Sequence, residues 1–92
     1  LSLVKIDAEG YDKEIIRSLM PVLKEFRPNI ISECNKNLTA GERAELFRLL
    51  NDELRYTVKK LEGFSNMPKP SLLNNPEDMM KWPHFDLLAT PK

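Results

Sequence analysis

What the sequence has little of narrows it first. A single cysteine, Cys34, among 92 residues rules out an internal disulfide and a paired-cysteine metal site, and it points to a reducing compartment. Three glycines, Gly10, Gly41 and Gly63, stand far apart, so no glycine-rich phosphate loop is present. No apolar run approaches the ~18 residues that span a bilayer. Neither sign of charge is in excess, because 14 basic residues face 14 acidic ones, and no basic stripe is left over for nucleic acid. Neither a secretion signal nor an initiator methionine opens the chain, which starts at Leu1 inside an apolar strand pattern. The expectation is a cytoplasmic protein with no nucleic-acid and no membrane partner, of which these residues are the C-terminal piece.

What is there is ordinary for a globular chain, with a hydrophobic fraction of 41% and a charged fraction of 30%. A chain of this size buries only roughly 60–65% of its unfolded surface, so it supports one thin core. Leu1, Leu3, Val4 and Ile6 form a nearly continuous run. That is the pattern of a parallel strand covered on both faces, here over residues 1–7. Across residues 12–26, Ile15, Ile16, Leu19, Met20, Leu23 and Phe26 fall at helical spacing, with Asp12 and Glu14 near the positive end of the helix dipole. Pro21 has no amide donor, which predicts a break near Met20. Pro28 closes the helical region and drives Arg27 out of helical angles.

Residues 29–33 read as a second short strand. Thr39 and Glu42 match a capping box, opening a helix to about Glu53 on a stripe of Ala44, Phe47, Leu50 and Leu54 widened by Leu46 and Leu49. Residues 55–62 give a weaker strand pattern ended by Gly63. Residues 65–75, with Pro68 and Pro70, read as a loop. Residues 76–82 suit a helical turn or two with proline first, and residues 85–90 a last strand stopped by Pro91. Strands alternating with helices predict an α/β fold, with right-handed crossovers and a parallel sheet flanked by helices on both faces. The last two strands lack a crossover helix between them and are expected to pair antiparallel as the sheet's terminal hairpin.

Open α/β sheets bind ligands outside the carboxyl ends of their strands. The first strand delivers Asp7, Glu9 and Gly10 to such an end. From spacing alone, these carboxylates either meet a ligand or satisfy amides at the start of the next helix, and Asp-x-Glu-Gly lacks the further ligands of a calcium loop. Glu33, at the end of the second strand, either completes a carboxylate cluster with Asp7 or stands as a solvated strand end. His84 and Trp82, with Met79 and Met80, precede the last strand as acceptor contacts or as packing. Asn37-Leu38-Thr39 fits a glycosylation acceptor, but it reads better as the approach to the helix cap.

VKIDAEGYDKEIIRSL resembles the strand-to-helix signature of the FkbM-type methyltransferase family, which is close to K-I-D-x-E-G-x-E followed by an aliphatic helix. RPNIISE at residues 27–33 resembles the family's next strand, and HFDLLATP at residues 84–91 its closing strand. Asp12 stands where the family usually has glutamate. The resemblance implies a Rossmann-like S-adenosylmethionine-dependent methyltransferase acting on a hydroxyl of a sugar or other small metabolite. It also implies that residues 1–92 form the C-terminal, acceptor-side part of that single domain, with the cofactor-binding half lying upstream.

On that resemblance, Asp7 and Glu33 are the catalytic candidates, Asp7 as a base or as a ligand of a divalent metal. Glu9, His84 and Trp82 would contact the small-molecule or glycan acceptor. Asp7 and Gly10 would touch the cofactor, which is bound mainly by the upstream half. The 92-residue piece alone is expected to be inactive and to self-associate through the open edge of its first strand. The alternatives are a stand-alone α/β binding or interaction module, or an inactive methyltransferase remnant.

Overall fold

The computed structural model describes residues 3–61 and 71–92. Among these, five strands form one sheet: β1 (Leu3–Lys5), β2 (Asn29–Cys34), β3 (Tyr56–Lys60), β4 (Ser71–Leu73) and β5 (Phe85–Pro91), in the order β1-β2-β5-β3-β4. Three α-helices, α1 (Asp12–Ser18), α2 (Met20–Phe26) and α3 (Ala40–Arg48), are joined by a π-helical turn at Leu49–Glu53 and a 3-10 turn at Pro76–Met80.

Local chemistry accounts for the helices. Pro21 falls in the first turn of α2, where its missing N–H has no helical acceptor to serve, so the helical region divides at Leu19 as expected. Thr39 Oγ1 accepts from the Glu42 amide at 3.1 Å, and Glu42 Oε1 accepts from the Thr39 amide at 3.0 Å. These bonds hold the Glu42 carboxyl below its ordinary range. Arg27, ahead of Pro28, leaves right-handed helix space for φ +49°. Its guanidinium donates to the Leu54 and Arg55 carbonyls and stacks 4.5 Å from the centre of the Tyr56 ring. The Tyr56 hydroxyl donates to Pro28 O at 2.6 Å. Together these contacts clamp the amino ends of β2 and β3.

The sheet corrects several expectations. Among the described residues β1 pairs only with β2, in parallel, which leaves the open edge expected of it, but its faces are not both covered, since Leu3 is 50% exposed and Lys5 is exposed too. β5 is no terminal hairpin arm. It pairs antiparallel with β3, as expected, but also with β2, and is inserted between them. Phe85, Leu87 and Ala89 are all buried, which suits a central strand. Part of the expected loop forms β4 instead, whose Leu72 and Leu73 lie opposite Lys59 and Val58. Leu1, Gly63 and most of that loop lie outside the described residues.

Helices on both faces were expected, yet the core lies on one. Ile16, Leu23, Leu46, Phe47, Leu50 and Met79 pack in a single cluster with Ile6, Ile30, Cys34, Tyr56, Val58, Leu87 and Ala89 of the sheet. Both crossovers, β1 to β2 and β2 to β3, step the same way along the sheet, so right-handed connections leave both on one side. Ile31, Glu33, Asp86, Leu88 and Lys59 alternate with the core residues and remain partly or fully exposed.

Candidate functional site

The parallel ladder between β1 and β2 stops abruptly. Ile6 N–H donates to Ile31 O at 2.8 Å, and the register places the next rung at Ala8 and Glu33. Neither amide meets the opposite strand there. Ala8 N–H donates to Asp12 Oδ1 at 3.0 Å, and Glu33 N–H donates to Asp12 Oδ2 at 2.9 Å. Ser32 Oγ adds a third donor to Oδ2 at 2.7 Å. The Asp12 carboxylate, 1% exposed, therefore stands in for a rung and holds the carboxyl ends of the two strands apart.

The chain between β1 and α1 turns tightly over residues 8–11, closed by Tyr11 N–H to Ala8 O at 3.1 Å. Glu9 takes φ +49° and Gly10 φ +105°. Only the glycine does so without steric cost, so Glu9 is held in a strained conformation at the strand end. Asp7, just before this turn, is exposed, as is Glu9, and Gly10 is half-buried. Glu9 and Gly10 join Tyr11, Glu14, Asn37, Leu38 and Glu42 around a cavity of about 220 Å³. Ligand pockets are commonly larger than roughly 300 Å³, so this one accommodates part of a molecule. A larger cavity of about 310 Å³, lined by Asn51, Thr57, Leu72 and Lys92 among others, touches none of the expected site residues.

Glu33 and His84 are brought together. His84 Nε2 lies 3.8 Å from Glu33 Oε2, and Glu33 Oε1 accepts from Asn35 Nδ2 at 2.9 Å. Glu33 also faces Asp86 directly across β2 and β5. Trp82 is half-buried, edge-on to Phe85 at 5.5 Å between ring centres, with Lys60 Nζ 5.0 Å from its own ring. Its packing is thus in place, and Met79 belongs to the core. The expected residues fall into two groups: Glu9 and Gly10 at the cavity, and Glu33 and His84 at the end of β2 and the start of β5. Asp7 joins neither through a direct contact. Among the described residues, no three of His, Cys, Asp or Glu converge to hold a metal ion, and no helix is long and apolar enough to cross a membrane.

Two buried charges escaped the sequence reading. Asp12 is one. The other is Arg43, 6% exposed, whose guanidinium donates to five main-chain carbonyls: Pro83 at 2.5 Å, Trp82 at 2.7 Å, Met79 at 2.9 Å, Asn35 at 3.3 Å and Leu38 at 3.4 Å. It ties the segment after β2 to the segment before β5, both of which border the site. A signal existed, since Arg43 sits at the helical spacing of the buried stripe continued by Leu46, Phe47 and Leu50. Nearby, burial pushes the Cys34 thiol up to about 11, which keeps it neutral and unreactive at pH 7.

A family model described as the methyltransferase FkbM domain matches residues 1–65, which include β1 to β3 and every helix except the 3-10 turn. No curated protein and no solved structure matches the chain.

Proposed function

Because the chain belongs to the FkbM methyltransferase family, we propose that it forms the acceptor side of a cytoplasmic S-adenosylmethionine-dependent O-methyltransferase. Its acceptor is a hydroxyl of a sugar or other small metabolite. One observation supports this reading: the ladder between β1 and β2 stops at their carboxyl ends, where an open α/β sheet takes its ligand, with Asp7 and Glu9 following β1 and Glu33 near the end of β2.

Methyl transfer to oxygen is an in-line displacement. An oxygen–carbon bond forms as a sulfur–carbon bond breaks, and the acceptor hydroxyl gives up its proton. The donor, when bound, supplies the electrophilic methyl group. Asp7, exposed at the end of β1, takes the proton. A divalent cation at this strand end would be held by Asp7 and would acidify the hydroxyl. Glu9 and the cavity beside it hold part of the acceptor; His84, beside Glu33, is a further contact on the β5 side, as is Trp82.

A Cβ built on Gly10 would meet nothing within 4 Å, and its φ of +105° suits the turn. In a polypeptide that also carries a donor-binding part, Asp7→Asn is expected to lower methyl transfer about 10²–10⁴-fold, the usual worth of general-base assistance, with donor affinity nearly unchanged. Turnover close to the parent rate would return Asp7 to a structural role. Titration of the 92-residue chain alone should show no saturable donor binding tighter than about 1 mM, roughly −4 kcal/mol. Tighter binding would show that the donor site had been misplaced.

A further inference from the structure

Resting on that functional reading, we propose that Asp12 is the positioning residue of the acceptor site: it sets the separation between the turn that bears Asp7 and Glu9 and the strand end that bears Glu33. The three donors to Asp12 come from both sides of the gap, Ala8 from the β1 side and Ser32 and Glu33 from β2. A carboxylate with two oxygens matches three donors, because each oxygen has two lone pairs. No other side chain of this length carries acceptors alone, so the arrangement requires the charged acid.

Without that carboxylate, the two amides have an alternative within reach, since continuing the parallel ladder by one rung would pair Glu33 N–H and Ala8 N–H with the opposite strands. The strand ends would then close, and Asp7 and Glu33 would move together across the space an acceptor needs. The strained φ of Glu9 belongs to the same device. A turn with a left-handed non-glycine residue persists only where neighbouring bonds over-determine it, and the Ala8 amide that opens this turn is held by Asp12. Asp12 touches no acceptor itself and acts through Asp7, Glu9 and Glu33.

Two measurements test the proposal. The first reads geometry in the 92-residue chain by amide hydrogen exchange. Asp12→Asn puts an NH₂ against at least one of the three donors, and protection at Ala8 and Glu33 should change about tenfold or more as the two amides exchange the carboxylate for the opposite strand, while the Ile31 amide keeps its own. Unchanged protection at both would overturn the proposal. The second reads function in the methyl-transferring polypeptide. Asp12→Asn should lower kcat by about 10- to 100-fold, the cost of misplacing reacting groups by about 1 Å, with donor Kd unchanged.

Asp12→Glu, which keeps both oxygens, should recover most of that loss. Tyr56→Phe removes a hydrogen bond at the far end of the sheet and controls for stability loss, so kcat should stay at the parent value. Equal kcat for Asp12→Asn and the parent, with both folded, would make Asp12 a structural clamp only and refute the proposal. Absence of transfer by the parent itself would defeat the functional reading instead, and the exchange data would still decide whether Asp12 sets the gap.

Discussion

Removing the Arg43 guanidinium should cost this fold a large share of its stability. Arg43→Met is the informative change, because methionine keeps an unbranched apolar stem in the same channel and removes only the charged fork. Five carbonyls then lose their donor, three of them from bonds of 2.9 Å or shorter. Bonds to charged groups are worth about 1.5–3 kcal/mol each, so a simple sum would exceed about 7 kcal/mol. That sum overshoots, because a buried guanidinium carries a desolvation penalty of several kcal/mol that the variant no longer bears. What remains is the cost of the carbonyls left buried without a donor, about 1–3 kcal/mol each, so a net loss of about 3–5 kcal/mol is expected.

A 92-residue domain has about 5–14 kcal/mol in all at ~0.05–0.15 kcal/mol per residue, so the variant should be severely weakened. Urea unfolding followed by circular dichroism should show a lower midpoint at an unchanged slope. Arg43→Lys should recover less than half of the loss, since one ammonium cannot span five acceptors set in a fork. A cost below about 1 kcal/mol for Arg43→Met would refute the view that this side chain holds the two segments around the site.

Three further outcomes follow from the structure. Thr39→Ala should cost about 0.5–2 kcal/mol in the same assay by removing the cap of α3; because the Glu42 carboxyl is depressed in the fold, its contribution should be present above its unfolded pKa and fade only as pH falls through the folded value. Cys34, raised to about 11 from 9.0, should resist a thiol reagent in the native chain. Its contribution is full below about pH 9 and lost as pH rises toward 11, up to about 3 kcal/mol at ~1.4 kcal/mol per unit; a pH slope that persists in Cys34→Ala would disprove this origin. The open edge of β1, with Leu3 exposed beside it, should make the 92-residue chain self-associate, and a monomer mass by light scattering at high concentration would contradict that.

The sequence by itself determined what depends on near neighbours. Pro21 divides the helical region, Arg27 leaves helix space before Pro28, and the Thr39–Glu42 box opens α3, because each is decided within about four residues. The family could be read there too, since its motif is a continuous stretch joining β1 to α1. Only the tertiary structure decided where β5 goes: its apolar alternation specifies a buried strand but not which neighbours bury it, and pairing with both β2 and β3 is a choice between segments far apart in sequence. The same holds for the site. Glu33 meets His84 across 51 positions, and Arg43 reaches Pro83 across 40. Asp12 reads in sequence as one more acid at the start of a helix. What makes it different is the missing rung between β1 and β2, a gap that exists only once two strands separated by a whole crossover lie side by side with these amides bonded to Asp12 and not to the opposite strand.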